Sequence, residues 1–240
     1  MLAALSRDEF DRIKPYCELV SLSAGQVLYE PGDERTHTYF PTTTIVSQLS
    51  IMENGSTTQV GVVGNKGLVG CSIIWGGHSA AWQAIVHSKG DAVRIKAGDA
   101  QAAFKRPGVF QDVLLGYMQA ILTQVSQIAI CNRLHKIDQQ LCCWLLINHD
   151  QMPGKELFAT QALMANMIGV RRESITQAAG RLQQQGFIKF ARGTITILDR
   201  KGIESACCEC YQVVETEYDR VLGKYIKRIT PQTHAIKPQF

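Results

Sequence analysis

The sequence predicts an α+β protein in three parts: a β-rich N-terminal roll, one long central helix, and a C-terminal helical unit closed by a small hairpin. Three observations predict it. From Leu19 to Ala97, short β-type runs alternate with turns marked by glycine and proline. After Pro107 the apolar spacing changes to three and four residues and stays there. Beyond Thr160, two helical segments flank a glycine and are followed by two short alternating runs.

Ser6-Arg7-Asp8-Glu9 fits a capping box ahead of Phe10 and Ile13, so a short helix opens the chain and ends near Pro15. Val27-Leu28-Tyr29 runs into the turn Pro31-Gly32-Asp33. Thr44–Ile51 and Thr57–Val63 flank Glu53-Asn54-Gly55, an Asn-Gly hairpin signal. Gly64-Asn65-Lys66-Gly67, Gly76-Gly77 and Gly90-Asp91 punctuate the remainder. Strands this short and numerous point to a barrel or sandwich, with a jelly roll the natural form.

In the helix after Pro107, Phe110, Leu114, Tyr117, Ile121 and Ile128 step by 4, 3, 4 and 7, with Gln124 where the pattern skips. That near-heptad seam suits pairing with a second copy of the chain, and packing on the chain's own roll is the alternative. Ile137–Asn148 reads as a further amphipathic helix, closed by the turn residues His149–Gly154. Gly202–Ile226 reads as a last helix packed on the C-terminal unit, and the tail 227–240, with Pro231 and Pro238, as loosely ordered. The expected division is 1–107 for the roll, 108–134 for the central helix and 135–240 for the rest.

With 45% apolar and 19% charged residues in 240, the composition is ordinary for a globular chain. No continuous apolar run approaches the roughly 20 residues of a membrane helix, Leu141–Ile147 being the longest candidate, so no membrane partner is expected. Met1–Ser6 lacks the basic lead-in of a secretory signal. The eight cysteines show no disulfide-scaffold spacing and read as reduced thiols of a cytoplasmic protein. The net charge of +4 is unevenly placed: residues 1–135 hold 11 Lys/Arg and 11 Asp/Glu, and residues 136–240 hold 14 and 10. Lys155–Lys201 alone carries eight basic and three acidic residues, a local field that attracts phosphate backbones.

Thr160 can cap a helix over Gln161–Met167 whose Leu163, Met164 and Met167 share a face. Gly169 supplies the positive φ of a tight turn, and a second helix runs from about Arg171 to Gln185, stopped by Gly186. Its Ile175, Ala178, Ala179 and Leu182 fall on one side, leaving Arg172, Glu173, Thr176 and Gln177 on the other. Phe187–Phe190 and Thr194–Leu198 then pair as a two-stranded hairpin around Ala191-Arg192-Gly193. This is a winged helix-turn-helix, and its chemistry fits groove reading. Arg172 can donate two parallel hydrogen bonds to guanine, Glu173 can accept from cytosine N4, and Gln177 can reach an adenine edge. Thr160, Gln161, Arg171, Thr176 and Arg192 are placed for the DNA backbone.

Thr160–Asp199 resembles the DNA-binding domain of the Crp–Fnr transcription factors, and Gly25–Asp33 resembles the opening hairpin of their cyclic-nucleotide-binding-type roll. The resemblance covers roughly residues 5–200. It implies a cytoplasmic homodimer that regulates transcription from a near-palindromic site on double-stranded DNA, with RNA polymerase a candidate partner. It also implies that Arg172, Glu173 and Gln177 occupy the base-reading positions. In the roll, relatives that bind cyclic nucleotides use a Glu for the ribose and an Arg-Ser pair for the phosphate. The matching stretch here, Gly67–Gly70 through Gly77–Ala80, has Leu68 where the Glu is expected and His78 near the Arg. An effector pocket at Leu68, Val69, His78 and Ser79 would therefore not suit cyclic AMP; a different small molecule, or none, is expected.

Other classes fit less well. Cys207-Cys208-Glu209-Cys210 lacks paired two-residue spacing, so no metal or cofactor is expected there. His37, His78 and His87 form no metal triad of a cupin-like enzyme, Gly61–Gly67 lacks the ending of a phosphate loop, and no catalytic constellation can be assembled. A sensor acting mainly through a protein partner is the remaining alternative.

Overall fold

Alternating β-branched and aromatic residues between Glu18 and Lys96 close into two antiparallel sheets. The computed structural model of the 240-residue chain describes residues 1–77, 79, 82–151 and 156–226. The roll contains β1 (Glu18–Leu22), β2 (Val27–Tyr29), β3 (His37–Pro41), β4 (Ile45–Ile51), β5 (Thr57–Val63), β6 (Gln83–Ser88) and β7 (Gly90–Lys96). One sheet runs β1-β7-β3 and the other β2-β6-β4-β5. Leu22, Tyr29, Val46, Val63, Val69, Ala84, Val86 and Ala92 fill the space between them. The Asn-Gly hairpin forms as expected: β4 pairs with β5 from Ile51↔Thr57 onward, and Gly55 takes φ 78°.

The helices are α1 (Arg7–Ile13), α2 (Ala97–Phe104), α3 (Val109–Leu134), α4 (Ile137–Asp150), α5 (Gln161–Ile168), α6 (Arg172–Gln184), α7 (Arg200–Ala206) and α8 (Glu209–Ile226). Ser6 caps α1 through the Glu9 amide, as the capping box requires. Glu9 then does a second job that the sequence did not reveal. Its Oε1 accepts from the Val109 amide at 2.7 Å and so caps α3, whose own N-cap, Gly108, has no side chain to offer.

The seam on α3 is covered by the chain itself. Phe110, Val113, Leu114 and Tyr117 pack with Phe40, Leu68, Val93 and Ile95 of the roll and with Val214, Tyr218, Leu222 and Tyr225 of α8. Gln124 is wholly buried and accepts from the Tyr218 hydroxyl at 3.4 Å. Gly116 permits the close crossing, because a Cβ there would stand 3.1 Å from the Val221 carbonyl oxygen. The C-terminal helix expected over Gly202–Ile226 is therefore two helices, broken at Cys207-Cys208. α7 packs on α4, whereas α8 meets α4 only at its start, through Cys210 and Tyr211, and then lies mainly along α3. Tail residues 227–240 lie outside the described residues.

One helix is more apolar than its runs suggest. By length and composition α3 is apolar enough to cross a bilayer. Uncharged Gln, Ser and Thr interrupt its apolar runs, so the continuous-run criterion passed it over. Here the helix covers the roll and α8 with one face.

A continuous core joins the roll to the C-terminal unit. Ile45, Leu49 and Val62 of the roll belong to the same apolar cluster as Leu145, Met164, Ile175 and Leu182. A buried polar chain crosses the junction. Trp144 Nε1 donates to Gln59 Oε1 at 2.7 Å, and Gln59 Nε2 donates to Ser47 Oγ at 3.0 Å. His87 Nε2 lies 2.9 Å from the Phe158 carbonyl, which can only accept, so this nitrogen carries the proton. Burial lowers the His87 pKa and favours the neutral ring, with the Phe158 bond opposing.

At the far end of α4, Asp150 accepts from Arg200 Nη1 at 2.6 Å and from the Tyr211 hydroxyl at 2.7 Å, joining α4, α7 and α8. Burial alone would raise the Asp150 pKa, but bonds from His149, Arg200 and Tyr211 hold it well below the ordinary carboxylate range. A depressed carboxyl stabilises the fold fully above its unfolded pKa near 3.9, and the contribution is lost as the pH falls through the folded value. Asp150→Asn is therefore expected to cost about 2 kcal/mol at neutral pH. In denaturant titrations its deficit against the native chain should shrink below about pH 4; a deficit unchanged down to pH 3 would contradict this role.

Candidate nucleic-acid interface and effector cavity

The two helices of the turn motif are fixed by local bonds before any ligand is present. Thr160 Oγ1 caps α5 by accepting from the Leu163 amide at 3.1 Å. Gly169 ends α5 at φ 78°, and the amides of Gly169 and Val170 both donate to the Ala165 carbonyl. The Thr176 hydroxyl donates to Gln161 Oε1 at 2.9 Å, bolting the start of α5 to α6. Farther along α6, Arg181 holds Asp138 of α4 with two bonds of 2.8 and 2.5 Å.

This leaves one face of α6 for other work. Ile175, Ala178, Ala179 and Leu182 are buried, while Arg172, Glu173, Thr176 and Gln177 are exposed. Among the described residues, the side chains of Arg171, Arg172, Glu173 and Gln177 make no hydrogen bond or ion pair. The contrast with Arg181 is informative, since the two ends of one helix treat their guanidinium groups differently. Arg181 serves the fold; Arg172 is uncommitted.

Beside α6 stands a wing of three strands, β8 (Glu156–Phe158), β9 (Ile188–Ala191) and β10 (Thr194–Ile197), in the order β8-β10-β9. The hairpin predicted from sequence is β9–β10. The added strand β8 pairs through Ile195↔Leu157 and was hidden among turn residues and a three-residue apolar run too short for periodicity. The amide of Phe190 donates to Gln183 Oε1 at 2.9 Å, which sets the wing against α6. At its tip, Arg192 at φ 50° and Gly193 at φ 77° form the two-residue turn, with Ala191 paired to Thr194. Arg192 is the one described non-glycine residue with positive φ. An exposed arginine is thus held at the wing tip in a backbone region that favours glycine.

Of the residues expected on the DNA backbone, Thr160, Gln161 and Thr176 already spend polar atoms within the chain, whereas Arg171 and Arg192 do not.

A second feature lies between the roll and α3: a cavity of about 610 Å³. Gln48, Ser50 and Val60 line it from β4 and β5, Cys71, Trp75 and Trp82 from the roll's loops, and Leu115, Met118, Ile121, Leu122 and Val125 from α3. Among the described residues its walls are mostly apolar and hold no charged residue. Behind Trp82, the buried Arg35 guanidinium sits 5.1 Å from the Tyr29 ring centre and 5.9 Å from that of Trp82, and donates to Ser72 Oγ. Burial lowers its pKa. Of the residues expected in an effector pocket, Leu68 and Val69 do not line this cavity. Leu68 is wholly buried in the core beneath α3, and Val69 is wholly buried between the sheets, bridged to Tyr39. Ser79 is exposed, and His78 lies outside the described residues. Family position pointed to the loop; the cavity is built by residues on β4, β5 and α3 that no single motif connects.

Comparison with known proteins agrees with this architecture. Residues 139–206 match the model of the Crp-like helix-turn-helix domain. No curated protein matches the sequence. Among solved structures, FixK2 from Bradyrhizobium japonicum superposes with a TM-score of 0.69 at 13% identity, covering 80% of this chain and 98% of that one. TTHA1359, a CRP/FNR-family transcriptional regulator from Thermus thermophilus, gives 0.63 at 21% identity, covering 79% and 97%. The c-di-GMP-responsive global regulator CLP from Xanthomonas campestris gives 0.62 at 14% identity, covering 80% and 99%. Residues 139–206 thus match a Crp-like helix-turn-helix domain, on a chain whose fold is similar to that of these regulators.

Proposed function

We infer that the protein is a sequence-specific, DNA-binding transcription regulator that works as a cytoplasmic homodimer and catalyses no reaction. The observation that carries this reading is the exposed, uncommitted edge Arg172-Glu173-Gln177 on the second helix of a Crp-like helix-turn-helix. Arg172 would take guanine N7 and O6, Glu173 a cytosine amino group and Gln177 an adenine edge or a phosphate. Arg171 and Arg192 would grip phosphates on either side and set the register. Thr160, Gln161 and Thr176 would reach the backbone only by sharing or exchanging their present bonds.

Dimerisation is assigned to a different stripe of α3 from the buried seam. Leu115, Met118, Leu122, Val125 and Ala129 step by 3, 4, 3 and 4, and Leu115 and Leu122 are 50% and 63% exposed. That is the a/d spacing of a coiled-coil seam. Pairing along it would close the open side of the cavity, because Leu115, Met118, Leu122 and Val125 also line it. An effector there would touch the dimer seam directly and could bias the pose of the DNA-binding units. The described walls, which carry no charge, favour a neutral, largely apolar ligand over a cyclic nucleotide phosphate. The three-part division at 107 and 134 is kept, with α8 reassigned from the winged unit to the central helix.

Binding sites selected from random duplexes should converge on one motif. Arg172→Ala should cost about 1–3 kcal/mol at one base position and relax the preference there. An equal loss on every sequence would place Arg172 on phosphate instead. Arg192→Gly should raise thermal stability by about 1 kcal/mol, through relief of its positive φ, while weakening binding to all duplexes alike. A site-dependent loss would show that the wing tip reads bases. Calorimetry with cyclic AMP should show no heat at micromolar ligand, and a saturable signal would overturn the reading of the cavity.

A further inference from the structure

Five of the eight cysteines converge where α3 ends, α4 passes and the α7–α8 joint returns. Cys131, Cys208 and Cys210 are joined there by His135, and their sulfur and ring-nitrogen atoms all lie within 4.8 Å of one another. Cys131 Sγ and Cys208 Sγ are 3.5 Å apart, and Cys210 Sγ lies 3.5 Å from His135 Nδ1. A tetrahedral ion with bonds of about 2.3 Å to sulfur and 2.0 Å to nitrogen sets its ligands about 3.5–3.8 Å apart. The cluster already has nearly those dimensions.

The chain positions explain how the four atoms meet. His135 follows Cys131 by four residues, so both look out from the same side at the end of α3. Cys208 immediately precedes α8 and Cys210 sits in its first turn, where the helix dipole favours a thiolate. The three cysteines are 4%, 6% and 1% exposed. The second ring nitrogen of His135, Nε2, lies 3.4 Å from Glu209 Oε2. Shortening this contact to a hydrogen bond would give the carboxylate–histidine arrangement that presents the other nitrogen as a metal ligand. Apolar packing would account for buried thiols, but not for an imidazole aimed at three sulfurs with a carboxylate behind it. A disulfide between Cys131 and Cys208 would leave Cys210 and His135 without a purpose. An iron–sulfur cluster spreads its ligands over two or more irons and needs wider spacing than four mutually close atoms.

We propose that Cys131, His135, Cys208 and Cys210 form a tetrahedral site for one zinc-type divalent cation, clasping the end of α3 to the α7–α8 joint. Loading it releases the thiol protons as three thiolates and one neutral imidazole engage the ion. Cys143 and Cys207 lie within 4.8 Å of Cys208 and are in reach to donate S–H bonds to its sulfur. The ion would fix the angle between the central helix and the winged unit. This last consequence rests on the regulatory reading above; metal binding itself does not.

The test uses the full-length chain, reduced and stripped of metal, titrated with cobalt(II) alone. The expected result is saturation at one ion per chain, with intense visible bands of tetrahedral cobalt and a near-ultraviolet thiolate charge-transfer band, all abolished by one equivalent of zinc. The double variant Cys208→Ser/Cys210→Ser should lose the signal, and Cys17→Ser should keep it. Glu209→Gln, a change at an exposed residue, should retain the spectrum with about tenfold weaker affinity. The proposal is overturned if the native chain shows no charge-transfer band, or if the double variant binds undiminished. It is equally overturned if Glu209→Gln leaves the affinity unchanged, or if the reduced native chain yields a Cys131–Cys208 disulfide in place of bound metal. None of these readouts involves DNA, so failure here leaves the regulatory reading standing.

Discussion

The Trp144–Gln59 hydrogen bond stands at the point on which the rest of the arrangement depends. It lies at the buried junction between the four-stranded sheet and α4, where apolar surface alone would let the two halves slide. An unmade hydrogen bond at such a place costs about 1–3 kcal/mol, so the partners fix one register rather than merely adding adhesion. Ser47, His87 and the Phe158 carbonyl extend the constraint to the wing sheet. With α4 placed, Asp138 receives Arg181 and α6 is oriented with Arg172 outward. The recognition face is thus a consequence of how a tryptophan is satisfied at some distance from it.

The winged unit was legible in the sequence because its signals are local. The Thr160 cap, the positive φ at Gly169, the period of α6 and the Gly193 turn each act within a few residues. What escaped was decided by contacts between distant segments. Periodicity showed that α3 has apolar faces, but two solutions exist on one helix. The chain covers Phe110, Leu114 and Tyr117 itself and leaves Leu115 and Leu122 outside. Likewise the spacing of Ile203, Val214, Tyr218 and Leu222 implies a buried face without naming its cover. Gly116, which admits α8 against α3, is the one residue that hints at it, and only once the partner is known. The cap that Glu9 supplies to α3 and the grouping of Cys131 with Cys210 span 100 and 79 residues respectively, and no window reads across such gaps.

These distant contacts converge on the central helix. The apolar cavity, the exposed α3 stripe and the cysteine–histidine cluster all bear on the central helix, at its middle and at its end. A ligand in the cavity and an ion in the cluster would act on the same element from two places, and their effects on the winged unit would be coupled by linkage. The polar bonds at the Trp144 junction define the pose that such ligands would favour or release. The family-model match covers residues 139–206 and does not extend into the roll.

In the function proposed above, two copies of α6 read DNA together. Hydroxyl-radical footprinting of the dimer on a selected duplex measures this most directly. The expected result is two protected half-sites in inverted repeat, with centres about one helical turn, or 34 Å, apart on one face of the duplex. Protection of a single half-site by a dimer, or no protected sequence at any salt concentration, would contradict it.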